Sequence, residues 1–146
     1  MKEEYKELRE DVLDEEKVIE EALERLSKVV NKFDAHKEDY STEPAMGTYL
    51  MNFYNGIENI LKRITKEYYL TMPKGESWHK ELLALSFNPP SGKIAVFNQS
   101  IVERLHPYRN FRHRFISGYG FQLKGVLFFN LKFPPELCIN KVVRLF

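Results

Sequence analysis

PAMGTYLMNFYNGIENILKRITKEYY, residues 44–69, places apolar side chains at Met46, Tyr49, Leu50, Phe53, Ile57, Ile60, Leu61, Ile64 and Tyr68. Steps of three and four keep these residues on one face of a 3.6-residue helix, so the run predicts an amphipathic helix ending near Tyr69. Pro44 suits its first turn, where a missing N–H leaves no helical bond unmade. Gly56, in the middle, offers room for another backbone to come close. Such a stripe needs a partner to bury it. Upstream, Tyr5, Leu8, Val12, Ile19, Leu23, Leu26, Val30 and Phe33 recur at the same spacing with Glu, Lys and Arg between them, which predicts a long helix over about residues 3–33. The polar stretch DAHKEDYSTEP, Asp34 to Pro44, separates the two. They are expected to pair as an antiparallel hairpin. Whether the first helix also offers a dimer face is not decided by its heptad-like spacing.

Downstream, TMPKGES (Thr71–Ser77) reads as a turn, with Ser77 placed to cap a short helix carrying Trp78, Leu82, Leu83 and Leu85. NPPSGK (Asn88–Lys93) ends that helix. A further helical pattern runs from about Ile94 to Tyr119, and Pro107 within it predicts a kink or restart that fixes where the next stretch begins. GVLFFNLKFPP (Gly125–Pro135) suits a strand or a buried coil, and ELCINKVVRLF a last short helix. No repeat and no domain boundary is visible. The expected architecture is a single all-α domain over residues 1–146, an up-and-down helical bundle with an irregular C-terminal tail.

The composition narrows the function classes. Hydrophobic residues make up 43% and charged residues 29% of the 146, ordinary values for a globular chain, so disordered and fibrous classes are excluded. One cysteine, Cys138, excludes an internal disulfide and points to a reduced, cytoplasmic setting. No apolar run approaches the roughly 20 residues of a membrane span, and the acidic N-terminus is unlike a signal peptide. His36, His79, His106 and His113 fit no metal spacing, since His106 and His113 stand about 10 Å apart along a helix. Neither a metal nor a cofactor is expected. The net charge of +1 hides an asymmetry: residues 1–90 carry 13 Lys/Arg against 19 Asp/Glu, a net of −6, and residues 91–146 carry nine against two, a net of +7. An anionic ligand would meet the C-terminal third, although an acidic helix packed beside a basic one explains the same split.

Within that third, YRNFRHRFISGY (Tyr108–Tyr119) holds three of the eight arginines and one of the four histidines among closely spaced aromatics. Arginine presents a planar fork of donors to phosphate oxygens, histidine exchanges protons near neutral pH, and aromatics stack on bases. On a helix Arg109 and His113 share a face, as do Arg112 and Tyr119. Metal-independent RNA cleavage needs a base for the ribose 2′-hydroxyl, an acid for the leaving oxygen and a cation for the phosphate. His113 can be base or acid and Arg109 or Arg112 the cation, with Asn110 and Arg114 as further phosphate contacts. The same residues equally suit a solvated basic face with His113 and the aromatics packed inward. Glu58 can orient the arginine helix by a charge-assisted hydrogen bond or simply stand exposed, and Tyr54 can line the same cleft or sit in the core.

FYNGIENILKRI (Phe53–Ile64), GESWHKELL (Gly75–Leu83) and ERLHPYRNFRHRFISGYGFQL (Glu103–Leu123) together resemble the HepT-like branch of the HEPN superfamily, over about residues 1–123. The resemblance implies a helical bundle, a homodimer, and a minimal nucleotidyltransferase antitoxin as partner. It also implies a metal-independent ribonuclease toxin whose motif is an arginine, four to six residues, a histidine and, two residues on, a tyrosine that accepts AMP. Arg112 falls on the motif arginine, His113 on the polar residue after it and Tyr119 on the tyrosine. Ser117 falls on the histidine position, and serine has no pKa near neutrality. A register pairing Arg109 with His113 leaves three intervening residues, one fewer than the pattern, and displaces Tyr119. The expected function is therefore a ribonuclease toxin, or a weakened relative, in which Arg112 holds the scissile phosphate, Arg109 assists, His113 is the available proton carrier and Tyr119 the modifiable residue. The alternative is a non-enzymatic module binding RNA, a nucleotide or a nucleotidyltransferase. Residues 124–146 depart from the family pattern, and their apolar content favours self-association if exposed.

Overall fold

The computed structural model describes residues 3–32 and 42–116, and among these every regular element is helical. A 3-10 turn over Glu3–Tyr5 leads into α1 (Lys6–Lys32), followed by α2 (Thr42–Glu67), α3 (Trp78–Phe87) and α4 (Gln99–Ile116). The segment expected to be a strand or coil at 125–135 and the tail 124–146 lie outside the described residues.

The two long stripes meet as expected. Tyr5 packs edge-on against Tyr68 with ring centroids 5.4 Å apart, Asp11 pairs with Arg63 at 3.1 Å, and Ile19 lies against Gly56. Positions that rise along α1 therefore fall along α2, and the hairpin is antiparallel. Leu8, Val12, Ile19 and Leu26 are buried against Leu50, Phe53, Ile57, Ile60 and Ile64 in one continuous core, joined by Leu83 of α3 and by Val102, Leu105, Tyr108 and Phe111 of α4. The apolar stripe of α1 faces this core, while Leu13 and Val18 remain exposed.

The role expected of Gly56 is corrected. It is the side chain of Ile19, not a neighbouring backbone, that fills its notch: a Cβ on residue 56 would collide with Ile19 Cγ1 and lie 2.9 Å from its Cδ1. One acid also interrupts the stripe of α1. Glu16 is buried, its Oε2 has no hydrogen-bond partner among the described residues, and desolvation first, then the neighbouring Glu20, raises its carboxyl above the usual range.

Three local expectations differ. Ser77 holds the N-cap position of α3 but makes no side-chain cap bond. The fourth helix begins at Gln99 rather than near Ile94, because Asn98 caps it: its Oδ1 accepts the amide of Ile101 at 2.8 Å. Ahead of it, Ile94 is held in the loop by two tyrosines. Tyr69 Oη donates to its carbonyl at 2.8 Å and its amide donates to Tyr68 Oη at 3.1 Å. Pro107 does not begin a helix but lies inside one. A proline lacks one N–H, so only the carbonyl four residues back loses its partner, and the buried Leu105, Tyr108 and Phe111 hold both sides of α4 to the core.

Candidate functional site

Three helices contribute to one polar region. On α2, Tyr54 and Glu58 are four apart and Asn55 and Glu58 three apart, so all three reach toward the same side of a stripe that is otherwise apolar. Glu58 is buried, with only 3% of its side chain exposed, and a carboxylate withdrawn from water must be matched by donors. It finds two. His79, in the first turn of α3, places Nδ1 2.5 Å from Oε2, and Arg112 of α4 places Nε 3.5 Å from Oε1. The same Arg112 Nε donates to Asn55 Oδ1 at 2.7 Å. Glu58 is thus the tie between α2, α3 and α4. Glu58 is buried rather than exposed, and it lies within ion-pair distance of Arg112 on the arginine helix.

Tyr54 is fully buried and its hydroxyl has no hydrogen-bond partner among the described residues. Burial first, and then the Glu58 carboxylate, push its ionisation far upward against the opposing pull of Arg109 and Arg112, so it remains a neutral phenol. It belongs to the core beneath the site, within electrostatic reach of both arginines.

One turn around α4 from Arg112, the side chains face a cleft of about 380 Å³. Arg109, Asn110 and His113 form one wall, and Glu76, Ser77, His79 and Lys80 from the start of α3 form the other. Arg109 Nη2 donates to Asn110 Oδ1 at 3.0 Å, while its Nε is buried without a partner among the described residues. The pairing of Arg109 with His113 at four residues, read from the sequence, therefore coincides with a concave surface. Lys62 of α2 lies 4.6 Å over the Trp78 ring and secures the first turn of α3 beside it.

Of the residues singled out from the sequence, Arg109, Asn110 and His113 share the cleft, and Arg112, Glu58 and Tyr54 lie at the junction of α2 and α4. Arg114 stands in the last turn of α4. Ser117 and Tyr119 lie outside the described residues. Sequence reasoning missed Asn55, His79 and Lys80. The signal for His79 was the pair of a lone histidine at a helix start and a lone acid in an apolar stripe, but nothing in their spacing of 21 residues brings them together.

Chemically, the cleft offers a guanidinium with uncommitted donor capacity, an ammonium and two imidazoles to an anion, together with one carboxylate, Glu76. Among the described residues no group of three or more His, Cys, Asp or Glu could hold a metal ion, and no helix is long and apolar enough to cross a membrane. A family model described as HepT-like protein matches residues 45–130, which takes in all but the first residues of α2 and the whole of α3 and α4. Searches of curated proteins and of solved structures found no significant match.

Proposed function

The chain belongs to the HepT-like family, and from that premise we propose that it is a metal-independent endoribonuclease of the HEPN toxin kind, acting in the cleft between α3 and α4. The observation that supports this most is the placement of Arg109 and His113 on one wall of that cleft, with Lys80 opposite. A phosphodiester seated there meets Arg109 as the cation for charge on the phosphate and His113 as a proton carrier. Arg112, engaged by Asn55 and Glu58, holds α4 in place and supports the site from behind. The working form in this reading is a homodimer in the cytoplasm. Its partner is a minimal nucleotidyltransferase antitoxin that transfers AMP to Tyr119.

One observation favours a second, non-enzymatic reading. Ser117 occupies the position where the family motif has its histidine, and a serine cannot supply a proton near neutrality. A silent module that binds RNA, a nucleotide or the nucleotidyltransferase through the same face accommodates that change.

Cleavage of end-labelled RNA in EDTA by the purified chain, beside Arg109→Ala, His113→Ala and Ser117→His, separates the two. Cleavage that both alanine variants abolish supports the enzyme. An inert parent beside an active Ser117→His variant supports the silent module.

A further inference from the structure

His79 faces the same cleft as His113, but from the opposite wall. Its Nδ1 donates to the buried Glu58 at 2.5 Å, which fixes the tautomer and leaves Nε2 as the nitrogen available to a ligand. The Trp78 indole lies against its ring, with centroids 3.4 Å apart, so the imidazole is held from the side as well as from behind. A histidine that lines a cleft and has one ring nitrogen tied to a buried carboxylate has the arrangement by which a carboxylate orients a general base and stabilises the imidazolium that forms.

We propose that His79 is a catalytic residue of this chain, the general base of a two-histidine pair with His113, and that Glu58 is its positioning residue. The inference rests on the ribonuclease reading and supplies what Ser117 withholds from it, a second proton carrier drawn from another helix. His79 Nε2 takes the proton of the ribose 2′-hydroxyl, and the 2′-oxygen forms a bond to phosphorus. The bond from phosphorus to the 5′-oxygen breaks, and protonated His113 gives that oxygen its proton. The products are a 2′,3′-cyclic phosphate and a 5′-hydroxyl, with no metal or co-reactant consumed, and the two imidazoles return to their starting states by exchange with water. Arg109, one turn along α4 from His113 on the same cleft wall, meets the charge that builds on the phosphoryl oxygens. Among the described residues, the charged and titratable groups around His79 and its Glu58 partner include Lys62 on α2, Glu76 and Lys80 at the start of α3, and Arg109, Arg112 and His113 on α4.

The test is a rate comparison in EDTA between the parent, His79→Ala, Glu58→Gln and the control His106→Ala, with affinity for uncleavable 2′-O-methyl RNA measured in parallel. His79→Ala should cleave at least about 100-fold more slowly, the usual scale of a lost general base. It should bind the uncleavable RNA as the parent does, lose the acid limb of the pH–rate profile, and recover rate when free imidazole is added. Glu58→Gln should lower kcat with KM unchanged, and His106→Ala should match the parent. Full activity in His79→Ala, or a loss that imidazole does not restore, overturns the assignment while the ribonuclease reading stands. A parent that cleaves no RNA overturns both.

Discussion

Glu58 receives Arg112 at 3.5 Å on one carboxylate oxygen and His79 at 2.5 Å on the other, in a side chain almost wholly withdrawn from water. Removing either donor leaves a buried charge with half of its compensation. Arg112→Ala also orphans Asn55 Oδ1. The expected cost is about 2–3 kcal/mol of folding stability, the range for a lost charged hydrogen bond in a buried setting. Arg109→Ala, which removes a side-chain bond to exposed Asn110, should cost under about 1 kcal/mol. Urea unfolding of the two variants checks the contrast. Equal stability losses would mean that Arg112 is no more anchored than Arg109.

Ile19 in the notch of Gly56 ties the hairpin together at its middle. Gly56→Ala adds helix propensity worth about 1 kcal/mol, but forces Ile19 out of position, an overpacking cost of about 1–3 kcal/mol. The variant should be less stable than the parent. In an Ile19→Ala background the obstruction is gone, and the same change should become neutral or stabilising. A double-mutant cycle measures the coupling, and additive effects would show that the notch is not tight.

The hairpin was legible because two stripes with the same period and complementary lengths can bury each other only by pairing, and Leu8 to Leu26 meet Met46 to Ile64 as the spacing requires. The cleft was half legible. Arg109 and His113 share a face by spacing alone, whereas His79 enters from another helix and takes its orientation from Glu58, a contact between elements that no local period encodes. The start of α4 was misread for a related reason. Ile94, Val96 and Phe97 extend the apolar pattern backward, yet the hydroxyls of Tyr68 and Tyr69 hold Ile94 in a loop, and Phe97 donates its amide to Ser86 instead. Tertiary hydrogen bonds overrode the pattern, and Asn98 was the local sign of the true boundary.

Beyond α2 the chain turns through Leu70 at φ 58°, where Thr71 donates its amide back to Thr65 at 3.2 Å. A Cβ in this left-handed region costs about 1–2 kcal/mol, and Leu70 is 74% exposed, so little burial offsets it. Leu70→Gly should raise the melting temperature, its gain trimmed by about 0.5–1 kcal/mol of backbone entropy. Leu70→Ala, which keeps the Cβ, should not. A calorimetric comparison of the three proteins separates backbone strain from any packing role of the leucine, since a side-chain role would make both variants less stable.

Glu16 interrupts the buried stripe of α1 with no hydrogen-bond partner for Oε2 among the described residues, and its carboxyl is raised above 4.5 by desolvation and by Glu20. The folded state therefore binds its proton more tightly than the unfolded chain does. By linkage, this group stabilises the fold most when protonated, and its contribution is lost as pH rises from the unfolded carboxyl value through the raised folded one. Glu16→Gln, which keeps the shape and removes the charge, should be more stable than the parent at pH 7, and the gap should close as pH falls below about 4, where the parent carboxyl is protonated in both states. Urea midpoints for parent and variant at pH 7 and pH 4 give the two gaps. A gap that widens toward acid would show that ionised Glu16 is favourably placed, against the burial that separates it from water.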